Sequence, residues 1–189
     1  MPKPDKKWNK QAFDLAAGHG WKARPGYRIF VADAGAVRFD FPQDCVVVPG
    51  KDSIGLHDRR PPNDDCVLKV SVMRLPPIQG GWEQVPLERF VREVVQHDSR
   101  GATGGDEIIT VRRDGLELAW AEVRFIDPNE KRAALSRCCL ARARNVQPLI
   151  TMDFWETDRE KFGPVWDEVL RSLQVGVAYG DPRRGDVMN

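Results

Sequence analysis

Few side chains in this chain are placed to do chemistry, and most of them fall in one stretch. The histidines are His19, His57 and His97. Ser53 and His57 share the segment Lys51–Asp65 with Asp52 and Asp58, which supplies the residue types of a nucleophile, base and acid site. Such a site needs its nucleophile on a sharp turn and an orienting acid behind the base. The G-x-S-x-G elbow that would provide the turn is absent from the sequence. His57, Asp58, Asp64, Asp65 and Cys66 are the best candidate metal ligands, yet their spacing fits no zinc or EF-hand pattern. We therefore assign no catalytic residues, no metal and no cofactor, and read the stretch as a solvated loop.

The cysteines are Cys45, Cys66, Cys138 and Cys139, with no C-x-x-C among them. Cys138 and Cys139 are adjacent, so on a strand they face opposite ways. All four read as reduced core residues. Gly101–Gly105 is glycine-rich but lacks the lysine and helix of a phosphate-binding loop, and reads as a connector. Trp82 follows Gly80-Gly81, where an aromatic side chain can anchor an interface. Lys131, Arg132, Arg137, Arg142 and Arg144 form a basic run, read as a salt-bridged sheet edge.

Composition bounds these readings. Hydrophobic residues are 41% and charged residues 30% of the 189, an ordinary globular balance for one domain. A net charge of +1 gives little long-range attraction for nucleic acid or an anionic membrane, so neither is expected as a partner. The charged N-terminus has no signal-peptide core and no run reaches the ~20 apolar residues of a span, so the expected location is cytoplasmic.

The elements that must position the candidates follow from periodicity. Residues 1–26 read as an arm, with Trp8, Ala12, Leu15 and Ala16 on one stripe of a short helix ending at Gly18. Through that arm the chain could self-associate. Residues 27–175 form a single domain, and 176–189 a flexible tail. Tyr27–Asp33 and Ala36–Phe41 read as a hairpin, Cys45–Val48 and Cys66–Leu75 as strands, and Lys51–Asp65 as a long loop. Leu87, Phe90, Val91, Val94 and Val95 mark an amphipathic helix over 86–98. Four strands follow: Glu107–Arg113, Leu116–Ile126, Ala133–Arg144 and Leu149–Trp155. The closing helix starts from a Thr157–Glu160 capping box.

One register can be tested on charge. If Glu117 faces Arg142, then Glu122 faces Arg137, and both pairs are favourable across the strands. That register puts apolar residues on both faces, so the sheet should be covered on both sides. The expected fold is α+β: an antiparallel sheet between helices, an α/β/α sandwich.

Phe39-Asp-Phe-Pro42, the strand Asp65–Val72, the helix Leu87–Val94, the run of long strands and the helix Trp166–Leu173 together resemble the PsbP-like superfamily. That group includes photosystem extrinsic subunits, a Ran-binding nuclear-import protein, bacterial lipoproteins and chaperones of type VI secretion effectors. The resemblance spans residues 27–175 and implies an antiparallel sheet between helices. It also implies a partner-binding life rather than catalysis, without assigning residues. The expected function is a non-catalytic protein-binding module, an adaptor or chaperone-like domain. Its contacts would be His57, Arg59, Arg60 and Trp82, and its partner another protein. The alternatives are a hydrolase using residues 51–66 and a self-associating structural subunit.

Overall fold

The computed structural model describes residues 10–113 and 115–188. The first element is a hairpin. Strands β1 (Tyr27–Ala32) and β2 (Val37–Pro42) pair antiparallel, and Phe30 stacks on its partner Phe39 with ring centroids 4.8 Å apart. Gly35 closes the turn at φ +107°, where a Cβ would run into the Val177 carbonyl, so only glycine fits.

Strand β3 (Val46–Pro49) then pairs with β4 (Ile54–His57), and β4 with β5 (Cys66–Arg74). The loop expected over Lys51–Asp65 is therefore corrected. Its Ile54 and Leu56 are buried and point to one side, as a half-buried strand requires.

Helix α1 (Leu87–Gln96) buries Leu87 and Val91, and Pro86 stands at its N-cap. Strands β6 (Thr103–Gly104) and β7 (Ile109–Arg113) both pair with β8 (Leu116–Ile126). The connector expected at Gly101–Gly105 thus contains a short strand. Strand β9 (Ala133–Arg142) pairs with β8 in the register that the charges predict: Glu117 faces Arg142 and Glu122 faces Arg137. Both pairs form ion pairs, at 2.8 and 2.7 Å. Strand β10 (Val146–Trp155) lies between β9 and β5.

Helix α2 (Arg159–Ser172) follows, with a short β11 (Gln174–Val175) after it that pairs with β2. The expected capping box does not form. A 3₁₀ turn occupies Glu156–Asp158, and the Thr157 hydroxyl accepts from Arg132 at 2.6 Å instead.

The result is an α+β fold with two antiparallel sheets, one in the order β1-β2-β11 and one running β3-β4-β5-β10-β9-β8. On one face of the large sheet, Leu87 and Val91 of α1 pack on Ala119, Ala121 and Leu140. On the other, α2 shares the cover with the small sheet, whose Phe39 and Val37 join Trp166 and Val169 in the main core. The expected sandwich is corrected on this side, because the cover there is a helix and a sheet together. Of the helix expected over Trp8–Gly18, the part before Lys10 lies outside the described residues, and Lys10–Ala16 carries no helix. The arm instead delivers Trp21 against Tyr179 of the C-terminal segment, with ring centroids 4.6 Å apart. That segment runs back along the first turn, Gly176 and Val177 donating to Ala36 and Gly35.

Candidate functional site

A concave feature of this fold lies between α2 and the large sheet. It is a cavity of about 410 Å³. Leu56, Leu68 and Met152 form its floor on β4, β5 and β10, because alternate residues of these strands face the same way. Phe162, Val165 and Val169 line it from α2 at helical spacing. Phe41 and Pro42 close the side next to β2. The volume is that of a small-ligand site, and so is the chemistry of a mainly apolar wall with a few polar groups at the edge.

Two thiols stand in the wall. The row Val46–His57–Val67 crosses β3, β4 and β5. Next in line are Cys45, Asp58 and Cys66, and the Asp58 N–H donates to the Cys66 carbonyl at 3.1 Å. Burial pushes the Cys45 thiol up to about 12, and the nearby carboxylates of Asp44 and Asp58 add to the shift. Burial raises Cys66 further still, with Asp58 again contributing. Both are neutral thiols at ordinary pH and poor nucleophiles.

The rim is charged. Asp58 Oδ1 accepts from the backbone N–H groups of Asp65 and Cys66 at 2.8 and 3.0 Å. Its Oδ2 lies 3.6 Å from both Arg59 Nε and Lys161 Nζ. Asp65 pairs with Arg59 through one oxygen and accepts from the Trp155 indole N–H at 3.0 Å through the other. The Asp58 side chain is 13% exposed, whereas Lys161 is 60% exposed.

The structure scatters the contact residues expected from sequence. Arg59 reaches the rim. His57 belongs to the opposite face of the sheet, because it alternates with Leu56, and its ring rests over Gly55, where a Cβ would stand 2.7 Å from Nε2. Its Nδ1 lies 2.8 Å from Asp64 Oδ2, a base and an orienting acid. No hydroxyl or thiol among the described residues is hydrogen-bonded to this pair, so the nucleophile of the hydrolase alternative is not assembled there. Arg60 is exposed and outside the cleft. Trp82 sits in a 3₁₀ turn before α1, its indole N–H donating to the Pro76 carbonyl at 2.6 Å. The candidate metal ligands do not converge either: among the described residues no three His, Cys, Asp or Glu side chains are grouped to hold an ion.

A second, shallower depression lies beside α1, where Phe90 and Val94 approach Met73 and Leu149. Met73 and Val94 are 44% and 40% exposed there. No described helix is long and apolar enough to cross a membrane.

Comparison with known proteins agrees with the fold. Residues 28–179 match the family model Alr1449. The uncharacterized protein alr1449 of Nostoc sp. (strain PCC 7120 / SAG 25.82 / UTEX 2576) is 45% identical over 184 residues, covering 97% of this chain and 95% of that protein. Among solved structures, the cyanobacterial PsbP of Synechocystis sp. PCC 6803 superposes with a TM-score of 0.59 at 15% identity. The match covers 82% of this chain and 96% of that one. LpqN, described as involved in cell envelope biogenesis of Mycobacterium tuberculosis, gives a TM-score of 0.54 at 8% identity, over 78% of this chain and 89% of its own. At these identities the structural likeness concerns the fold alone.

Proposed function

The chain belongs to the Alr1449 family and has a PsbP-like fold, and from the cleft beside α2 we propose that it is a non-catalytic binding module. Its partner in this reading is another protein, which inserts an apolar side chain between α2 and β4–β5. The observation that carries the reading is the cleft itself: a wall of Leu56, Leu68, Met152, Phe162 and Val165 with a cavity of about 410 Å³. Catalysis would need a reactive group inside. The groups in the wall are neutral thiols, and the rim ions Arg59 and Lys161 lie beside the carboxylates of Asp58 and Asp65. Burial of a partner's aromatic or aliphatic anchor in such a pocket is the usual source of interface energy.

The test is a comparison of three chains as bait in native lysate: wild type, Val165→Trp, which fills the cleft, and Lys51→Ala on the exposed β3–β4 turn. Retained proteins are identified by mass spectrometry, and circular dichroism confirms that each bait is folded. A protein held by wild type and Lys51→Ala but lost with Val165→Trp supports the reading. A protein held equally by all three places the contact elsewhere and overturns it.

A further inference from the structure

We infer that the group accepted by the cleft carries a positive charge beside its apolar body. This rests on the reading of the cleft as a binding site and adds the chemistry of what enters it. In a protein partner the group would be an aliphatic or aromatic side chain next to a lysine or arginine.

The rim carries three carboxylates, Asp44, Asp58 and Asp65, against two cations, Arg59 and Lys161. One negative charge is left over. Asp44 is its source, since it is exposed and makes no ion pair among the described residues, while Asp58 and Asp65 are both engaged. The interior feels the same sign: Asp44 and Asp58 both add to the burial that keeps the Cys45 thiol protonated. An incoming carboxylate would meet that field as repulsion, and an ammonium or guanidinium as attraction.

The protein's own cation marks the seat. Lys161 Nζ lies 3.6 Å from Asp58 Oδ2 and 4.4 Å from the centroid of the Phe162 ring. A carboxylate on one side and an aromatic face on the other is a good environment for a cation, and Phe162 is also part of the apolar wall. A ligand with its body against Phe162 would bring its charge to this place or to Asp44. Lys161 is 60% exposed on a four-carbon stem, so turning its ammonium out to water to admit a ligand's charge has a low cost.

The experiment uses the full chain and three probes of similar shape: phenethylamine, phenethyl alcohol and hydrocinnamate. Amide NMR titrations at about pH 7 give their dissociation constants from shifts at Leu56, Cys66 and Val165. The amine should bind about three- to tenfold more tightly than the alcohol, with hydrocinnamate weakest. Asp44→Asn should narrow the amine's advantage to within about twofold, and Val165→Trp should remove the shifts at Leu56 and Cys66 for all three probes. If amine and alcohol bind alike, the charge preference is refuted while the apolar cleft stands. If hydrocinnamate equals or exceeds the amine, the sign is refuted. If no probe shifts these amides, the cleft reading fails and this inference with it.

Discussion

Replacing Glu122 with Gln should destabilise the protein more than replacing its partner Arg137 with Met. Arg137 Nε donates to Glu122 Oε2 at 2.7 Å, and the other carboxylate oxygen takes Arg159 Nη2 at 2.6 Å. The Arg137 side chain is 9% exposed, Glu122 20% and Arg159 52%. Breaking a fully buried pair costs about 3–5 kcal/mol, and an exposed pair is worth about 0–1 kcal/mol. Glu122→Gln strands a nearly buried guanidinium and releases an exposed one, so its cost should fall near 2.5 kcal/mol, between those limits. Arg137→Met leaves Glu122 with Arg159 and keeps an apolar stem over Trp120 and Phe154, so about 1 kcal/mol is expected. Once Arg137 is gone, Glu122→Gln loses only the exposed pair, so the double-mutant cycle should give a coupling of about 1.5–2 kcal/mol. Urea unfolding at about pH 7, with slopes compared across the four chains, provides the measurement. A coupling below about 0.5 kcal/mol, or Arg137→Met costing more than Glu122→Gln, would refute this account.

Two further outcomes can be measured. All four cysteines should resist Ellman's reagent in the native state. With the Cys45 and Cys138 thiols at about 12, their thiolate fraction at about pH 8 lies roughly a thousandfold below that of a free thiol. Four groups should react once the chain is unfolded; Cys66, Cys138 or Cys139 reacting at the free rate in the folded protein would contradict their buried placement, and half-buried Cys45 doing so would contradict the raised thiol. Separately, Tyr179→Ala should red-shift tryptophan emission and cost about 2 kcal/mol, because Trp21 is buried against that ring and its indole N–H donates to Pro182 at 2.8 Å. An unchanged spectrum and unfolding midpoint would show that the arm and the C-terminal segment do not hold each other in solution.

What the sequence discloses depends on whether a landmark is local or distant. The β8–β9 pairing is legible because Glu117, Glu122, Arg137 and Arg142 fix one register, and slipping by a residue would turn every side chain over. The amphipathic α1 is legible for the same reason, its apolar spacing being a property of ten consecutive residues. Strand β4 is not. Its Ile-Gly-Leu-His offers two apolar residues in a polar run, and the glycine that makes room for the His57 ring hides the alternation. The start of α2 misleads because Thr157 has a competing donor, Arg132, that only the tertiary fold brings near. The cleft is less legible still: Phe41, Cys66, Met152 and Val165 each read as core and Leu56 as part of a polar loop, and nothing in their types says that the space among them is unfilled.

The helix that walls this space, α2, is held differently at its two ends. At its C-terminal end Arg38 Nη1 donates to the Ser172 carbonyl at 2.9 Å, and the Ser172 hydroxyl accepts from the Asp40 N–H at 2.8 Å. Arg38 and Asp40 are themselves a buried ion pair at 2.6 Å, with burial raising Asp40 and the guanidinium pulling it back. A buried pair with further hydrogen bonds tolerates little displacement, since either ion left alone in the core is costly. The helix is thus fixed to β2 by its last turn. Phe162 and Val165, on its N-terminal half, face β4 and β5 across the cavity. The rim charges lie at this same half: Asp58 and Lys161 join the end of β4 to the first turns of α2. The two ends of α2 are thus unequally held, by a buried ion pair with hydrogen bonds at the last turn and by a half-exposed ion pair at the first.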